Sequence, residues 1–272
     1  MSVLTGNAAD LFSLDGKVAL ITGATNGIGQ IMAVALSEAN IYQIIFVHRP
    51  ATDPTKTIDL LVNASKNKII VSSIDCDLSS ENLKIEQIDE KIVQKAINLS
   101  YKKKIDILIN NAGITVLHPF IQFPDDEIDE IFYINWRVPA KLAQLVGQHM
   151  IENKVRGKII FTSSVLSVSG ALNLLPYVST KGAITQTVKA LSNEWSKYGI
   201  NVNALGPGIV ETKMSDYVQK DERIKGILIA KTPYGRLGLC DDLKGPTIFL
   251  SSKASDFMCG STLFIDGGYL GV

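Results

Sequence analysis

Tyr177 and Lys181 stand four positions apart, just after Pro176. Proline suits the first position of a helix, and on a helix residues four apart share one face, so the ammonium can act on the phenol. A phenol with its ordinary pKa of about 10 is a poor base at neutral pH. A fixed cation beside it favours phenolate, and the pair can then give and take a proton. In a lysine-rich chain with 8 tyrosines this spacing also arises by chance, so its surroundings decide. Ser163 and Ser164 close an apolar run shortly upstream. Strand alternation sends them to opposite faces, so one of the two can point into a shared crevice.

A second constellation is Thr22-Gly23-Ala24-Thr25-Asn26-Gly27-Ile28-Gly29, which follows a β-branched run and leads into a helical pattern. A strand that turns sharply into a helix needs a residue without Cβ. A pyrophosphate that approaches the amides at that helix N-terminus needs another. The natural ligand is a dinucleotide.

The elements that must position these groups alternate along the chain. Lys17–Thr22, Tyr42–Val47, Ile69–Ile74, Ile105–Ile109, Lys158–Thr162, Asn201–Leu205 and Thr262–Ile265 read as strands. Most are apolar throughout, as parallel strands covered on both faces are. Between them Ile28–Ala39, Ile85–Ser100, Asp126–Met150 and Pro176–Tyr198 read as amphipathic helices. The pattern predicts a doubly wound α/β three-layer sandwich on a seven-stranded parallel sheet. Residues 1–14 read as an N-terminal tail and 15–272 as a single dinucleotide-binding and catalytic domain, with a substrate lid expected within 209–231.

Composition narrows the function classes. The 272 residues balance 27 Lys+Arg against 27 Asp+Glu, so no global field favours nucleic acid or an anionic membrane. The three cysteines, Cys76, Cys240 and Cys259, lack metal-ligand spacing and suit a reducing compartment. No apolar run reaches the roughly 18 residues of a membrane span, and the first sixteen residues lack the features of a signal peptide. A cytoplasmic protein without a metal is the expectation.

Thr22–Gly29 resembles the cofactor loop of the short-chain dehydrogenase/reductase family, and further matches follow in order over nearly the whole chain. The resemblance implies a Rossmann-type fold and places Asp77 and Leu78 near an adenine ring. It places Asn111, Ala112 and Gly113 at the end of the fourth strand, and Pro207, Gly208, Ile209 and Thr212 against the nicotinamide carboxamide. It also selects Ser164, thirteen positions before Tyr177, as the serine that meets the phenol across the substrate carbonyl. Asn135 matches the helix asparagine that holds a water in a proton relay through the lysine. The catalytic set so implied is Asn135, Ser164, Tyr177 and Lys181, with Tyr177 and Lys181 also touching the cofactor.

The end of the second strand bears on the choice of nicotinamide. An acid there bonds both ribose hydroxyls, whereas a cation accepts a 2′-phosphate. Val47-His48-Arg49 lacks the acid and offers Arg49, which favours NADP(H) over NAD(H).

The implied reaction is interconversion of a secondary alcohol and a ketone by hydride transfer. The segments Thr232–Leu239 and Asp241–Pro246 resemble those of sugar-acid dehydrogenases such as 2-deoxy-D-gluconate 3-dehydrogenase, so a sugar, polyol or sugar acid is expected. Where such enzymes tend to carry arginine, this chain reads Ile114-Thr115-Val116-Leu117-His118. His118 is a candidate for contact with a substrate hydroxyl or carboxylate, against a structural role before Pro119, and Leu166 a candidate for the apolar wall. The competing readings are a general carbonyl or 3-oxoacyl thioester reductase, and a non-catalytic NADP(H)-sensing regulatory protein. Homotetrameric or homodimeric assembly is a further implication of the resemblance.

Overall fold

A computed structural model describes residues 7–66 and 68–272. Seven parallel strands form one sheet: β1 (Val18–Thr22), β2 (Gln43–His48), β3 (Ile70–Asp75), β4 (Ile107–Asn110), β5 (Lys158–Thr162), β6 (Asn201–Pro207) and β7 (Thr262–Ile265). Their order is β3-β2-β1-β4-β5-β6-β7. The principal helices are α1 (Gly27–Glu38), α2 (Thr55–Ala64), α3 (Lys95–Leu99), α4 (Asp125–Phe132), α5 (Val138–Glu152), α6 (Leu175–Trp195), α7 (Asp216–Lys220), α8 (Glu222–Ala230) and α9 (Lys244–Ser251). The fold is the expected three-layer α/β sandwich. No helix among the described residues is long and apolar enough to cross a membrane.

The strands are apolar throughout because each face has its own helix layer. Val18 and Leu20 pack with Val138, Leu142 and Val146 of α5 and with Ile184 and Val188 of α6. The alternate residues Ala19 and Ile21 pack with Met32 and Leu36 of α1, Leu61 of α2 and Leu250 of α9. Burying both sides of every central strand leaves the strand ends as the polar surface of the sheet. Because β1 pairs with β2 on one side and β4 on the other, the chain reverses its winding between them, and a crevice opens beyond their carboxyl ends.

Several boundaries differ from the sequence expectation for local reasons. β4 begins at Ile107 rather than Ile105 because Asp106, 3% exposed, faces the β1 backbone: its carboxylate accepts from Val18 N at 3.0 Å and from Lys104 Nζ at 3.0 Å. The helix expected over Asp126–Met150 is interrupted by a π-helical turn, Tyr133–Arg137, which joins α4 to α5. Such a turn carries one residue more per bond and redirects the side chains inside it, a consequence of packing that apolar periodicity does not register. Of the expected tail, residues 1–6 lie outside the described residues. Ala8–Phe12 form a short 3₁₀ turn, and Leu14 is 1% exposed against the α1 layer, its N–H bonded to Ala39 O at 3.0 Å.

The turn from β1 into α1 is the tightest point of the fold. A Cβ on Gly29 would lie 2.2 Å from Gly23 O and 2.3 Å from Asn111 Nδ2. Gly29→Ala is therefore expected to destabilise the protein by about 1–3 kcal/mol through overpacking. The measurement is the urea midpoint at unchanged m-value; an unaltered midpoint would show that the turn relaxes freely.

Candidate active site

Three strand ends meet around Asn111. Its Nδ2 donates to Thr22 O at 3.2 Å and to Gly23 O at 3.1 Å, while its Oδ1 accepts from Thr162 Oγ1 at 3.2 Å. Thr22 Oγ1 returns the contact by accepting from Asn111 N and Ala112 N, each at 3.1 Å. The ends of β1, β4 and β5 are thus cross-tied under a cleft of about 530 Å³. Buried amides and hydroxyls here satisfy one another, which makes the floor of the cleft rigid.

One side of the cleft is lined by residues that the sequence singles out. Gly23, Thr25, Asn26, Gly27, Ile28 and Gly29 line it from the turn. Gly23 and Gly27 take φ of +71° and +55°, in the left-handed region that glycine enters at little cost. Asn26 is the N-cap of α1, yet its side chain makes no capping bond, and the first turn of α1 carries no acid. The orphan N–H groups of that helix end remain for a ligand, as a pyrophosphate requires. Arg49, Asp77 and Leu78 line the cleft at the ends of β2 and β3, and Asn111, Ala112 and Gly113 line it after β4. Pro207, Gly208, Ile209 and Thr212 complete the wall beyond β6. These donors and this shape fit a dinucleotide.

Ser164, Leu166, Tyr177 and Lys181 line the same cleft. Ser164, 8% exposed, ends the β5 segment and its Oγ accepts from Leu166 N at 3.1 Å, so the hydroxyl is held at the mouth of a 3₁₀ turn. Lys181 is 4% exposed; its Nζ donates to Thr162 O at 2.8 Å and sits 5.4 Å from the centre of the Tyr177 ring. Burial pulls the Lys181 ammonium down to about 8. Burial also pushes the Tyr177 phenol up to about 12, against the opposing hydrogen bonding of Ser164. The raised phenol keeps its proton at neutral pH, and the Lys181 ammonium lies close to its ring.

Two predicted residues do not line the cleft. Asn135, 1% exposed, sits in the π-helical turn, where its Oδ1 accepts from Ile114 N at 2.8 Å and its Nδ2 donates to Ile114 O at 2.9 Å. Its amide clamps the loop after β4. His118 is turned aside: its Nε2 lies 2.9 Å from Glu127 Oε2, and its backbone N–H donates to Asn173 O at 3.2 Å. A long loop crossing to α4 brings an acid to the imidazole, so the structural role weighed for His118 is the one its contacts describe.

Ser163, expected on the face opposite Ser164, also lines the cleft, although its Oγ is closed off from solvent and has no hydrogen-bond partner among the described residues. Other lining residues escaped the sequence reading. Glu130, from α4, lines the cleft and accepts from Ser80 N at 3.1 Å, a contact across 50 positions that only tertiary structure creates. Tyr217 and Met214 enter from the segment expected as a lid. Thr115 follows the Asn-Asn-Ala-Gly segment, whose proximity to the chemistry was the available signal.

Comparison with known proteins agrees with this geometry. The chain is 36% identical over 260 residues to 2-dehydro-3-deoxy-D-gluconate 5-dehydrogenase of Pseudoalteromonas atlantica, covering 96% of this chain and 98% of that one. It is 34% identical to 5-keto-D-gluconate 5-reductase of Escherichia coli over 96% of this chain and 98% of that one. Among solved structures, gluconate 5-dehydrogenase of Burkholderia cenocepacia, in complex with NADP and tartrate, superposes with a TM-score of 0.88 at 35% identity, covering 98% of this chain and all of that one. The family model for short chain dehydrogenases matches residues 17–223, a span that runs from β1 through the glycine turn, Ser164, Tyr177 and Lys181 into α8. By that match and by its full-length relatives, the chain belongs to the short-chain dehydrogenase family.

Proposed function

We propose that this oxidoreductase interconverts a secondary alcohol and a ketone on a sugar acid, with NADP(H) preferred over NAD(H). The observation that carries the reading is the convergence of Ser164, Tyr177 and Lys181 on one cleft that also contains the uncapped N-terminus of α1 and Arg49. Full-length similarity to gluconate-type dehydrogenases supports the substrate class. Arg49 at the end of β2, where no acid stands, supports the 2′-phosphate.

In this mechanism Ser164 and Tyr177 hydrogen-bond the reacting oxygen. When bound, the nicotinamide supplies or accepts the hydride at the substrate carbon. In reduction Tyr177 donates its proton to the carbonyl oxygen, and Lys181 lowers the cost of the phenolate left behind. In oxidation the alcohol proton passes to Tyr177 only when that residue is in its phenolate form, which burial disfavours and the Lys181 ammonium favours. Asn135 fixes Ile114 and the loop that walls the substrate side. The segment 209–231, with α7 and α8, closes over that side as a lid, contributing Met214 and Tyr217. A homotetramer or homodimer in the cytoplasm belongs to the same proposal; assembly would cover apolar side chains such as Phe257, which stands fully exposed.

Three measurements test the reading. Tyr177→Phe is expected to lower kcat for NADPH-dependent reduction of a keto sugar acid by at least about a hundredfold while NADPH binding stays nearly intact; a turning-over variant would remove Tyr177 from its role. Arg49→Gln should weaken NADPH binding by about tenfold to a hundredfold and leave NADH nearly unaffected, as loss of a charge-assisted contact to a phosphate does. Calorimetric titration with both nucleotides distinguishes this from a uniform loss. The pH profile follows from burial. The phenol, pushed up to about 12, stays protonated across the neutral range, whereas the Lys181 ammonium is charged below about 8 and neutral above it. Reductive kcat/KM is therefore expected to be flat below pH about 8 and to fall above it, with the break absent in Lys181→Met; an unbroken profile in the wild type would contradict the electrostatic role.

A further inference from the structure

A second pocket opens beside the end of β2. It is lined by Arg49 and Thr52 from the turn after β2, by Cys76 and Asp77 after β3, and by Lys91 and Lys95. Arg49, Cys76 and Asp77 line the cleft as well, so the two spaces share a border. Thr52 N donates to Arg49 O at 2.9 Å, which closes the turn that carries Arg49. Lys91 belongs to a π-helical turn, Asp89–Gln94, and Lys95 opens α3. The crossover from β3 to β4 therefore brings two ammonium groups to a pocket whose other cation comes from β2.

These cations have no acidic partners of their own. Among the described residues, none of Arg49, Lys91 and Lys95 joins an ion pair. Lys91 Nζ donates to Asn82 O at 3.3 Å, which anchors the ammonium and leaves protons for another acceptor. The acids that line the pocket are engaged elsewhere. Asp75 Oδ1 lies 3.1 Å from Nε2 of the buried His48. Asp77 Oδ1 accepts from Ser79 N at 3.1 Å, and its Oδ2 accepts from Asn82 Nδ2 at 3.3 Å. Burial pushes the Cys76 thiol up while the charges of Lys91 and Lys95 oppose that shift, so the field of both ammonium groups reaches a residue shared by pocket and cleft.

Like charges gathered along one hollow repel, and a concavity lined by one sign of charge concentrates the opposite ion. An anion that meets all three cations at once must be compact and multiply charged, which describes a phosphate monoester. The arginine fork offers it paired hydrogen bonds, and the lysines add point charges from a separate element.

We propose that this pocket receives the 2′-phosphate of NADP(H), with Lys91 and Lys95 as specificity-determining residues beside Arg49. This rests on the reading of the cleft as a site for NADP(H). It extends recognition of the phosphate from the end of β2 to the crossover between β3 and β4. The preference for NADP(H) is then shared among three cations on two elements, and Arg49→Gln retains a part of it that the further loss of both lysines removes.

The experiment is calorimetric titration of NADPH and NADH into the wild type, Lys91→Met, Lys95→Met, the double methionine variant, Arg49→Gln and the triple variant. Each single lysine variant is expected to bind NADPH about threefold to tenfold more weakly, the range of a charge-assisted contact discounted for partial exposure. The double variant is expected to lose about tenfold to a hundredfold, and the triple variant to bind the two nucleotides with nearly equal affinity. NADH binding is expected to stay within about twofold throughout, which also reports an intact fold. In a wild type that prefers NADPH, an unchanged ratio of the two affinities in the double variant overturns the inference alone. An equal loss for both nucleotides does the same, because it marks a structural role for the lysines. A wild type that binds NADH as tightly as NADPH overturns the underlying reading and the inference with it.

Discussion

The contact between the β1–α1 turn and the side chain of Asn111 is the constraint on which the rest depends. Gly29 leaves no room for a Cβ, and Gly23 opens the backbone so that its carbonyl and that of Thr22 can meet one amide. That amide also reaches Thr162 on β5. One side chain thereby sets the height of three strand ends. Because Lys181 bonds the carbonyl of the same Thr162, the catalytic helix is referenced to the same point. The glycine turn and Lys181 are parts of a single hydrogen-bonded floor.

Burial then sets the chemistry. Lys181 and Tyr177 are brought together by a four-residue helical step, but the direction of each perturbation comes from desolvation. The low-dielectric surroundings hold the phenol in its donor form and bring the ammonium toward neutral pH, where its charge is useful and removable. A surface copy of the same two residues would show neither effect.

The loop after β4 shows how a packing irregularity serves specificity. The π-helical turn Tyr133–Arg137 carries Asn135 into the interior, and Asn135 closes on both polar atoms of the Ile114 backbone. The wall of the substrate side inherits its rigidity from that clamp. Tyr217 of α7, beyond β6, also lines the cleft, so its walls are built by segments far apart in the chain.

Much of this was legible in the residues alone. Apolar runs without alternation implied covered parallel strands, and the helical patterns between them implied the crossovers. The glycine spacing placed the β1–α1 turn, and the four-residue step placed Lys181 beside Tyr177, because those signals are local and their geometry follows from helix and strand periods. The choice of Ser164 over Ser163 came from family spacing; in the structure both residues line the cleft, with the Ser163 Oγ closed off from solvent. What tertiary structure alone decided was which groups meet: Glu127 with His118, Ile114 with Asn135, Glu130 with Ser80. Those pairings arise when loops and helices of the crossovers fold back on one another, and no periodicity within a segment encodes the partner that another segment will bring. Sequence thus determined the sheet, the glycine turn and the pairing of Tyr177 with Lys181 on one helix face, whereas the contacts that wall the cleft around them were decided by the packing of loops whose positions depend on the whole fold.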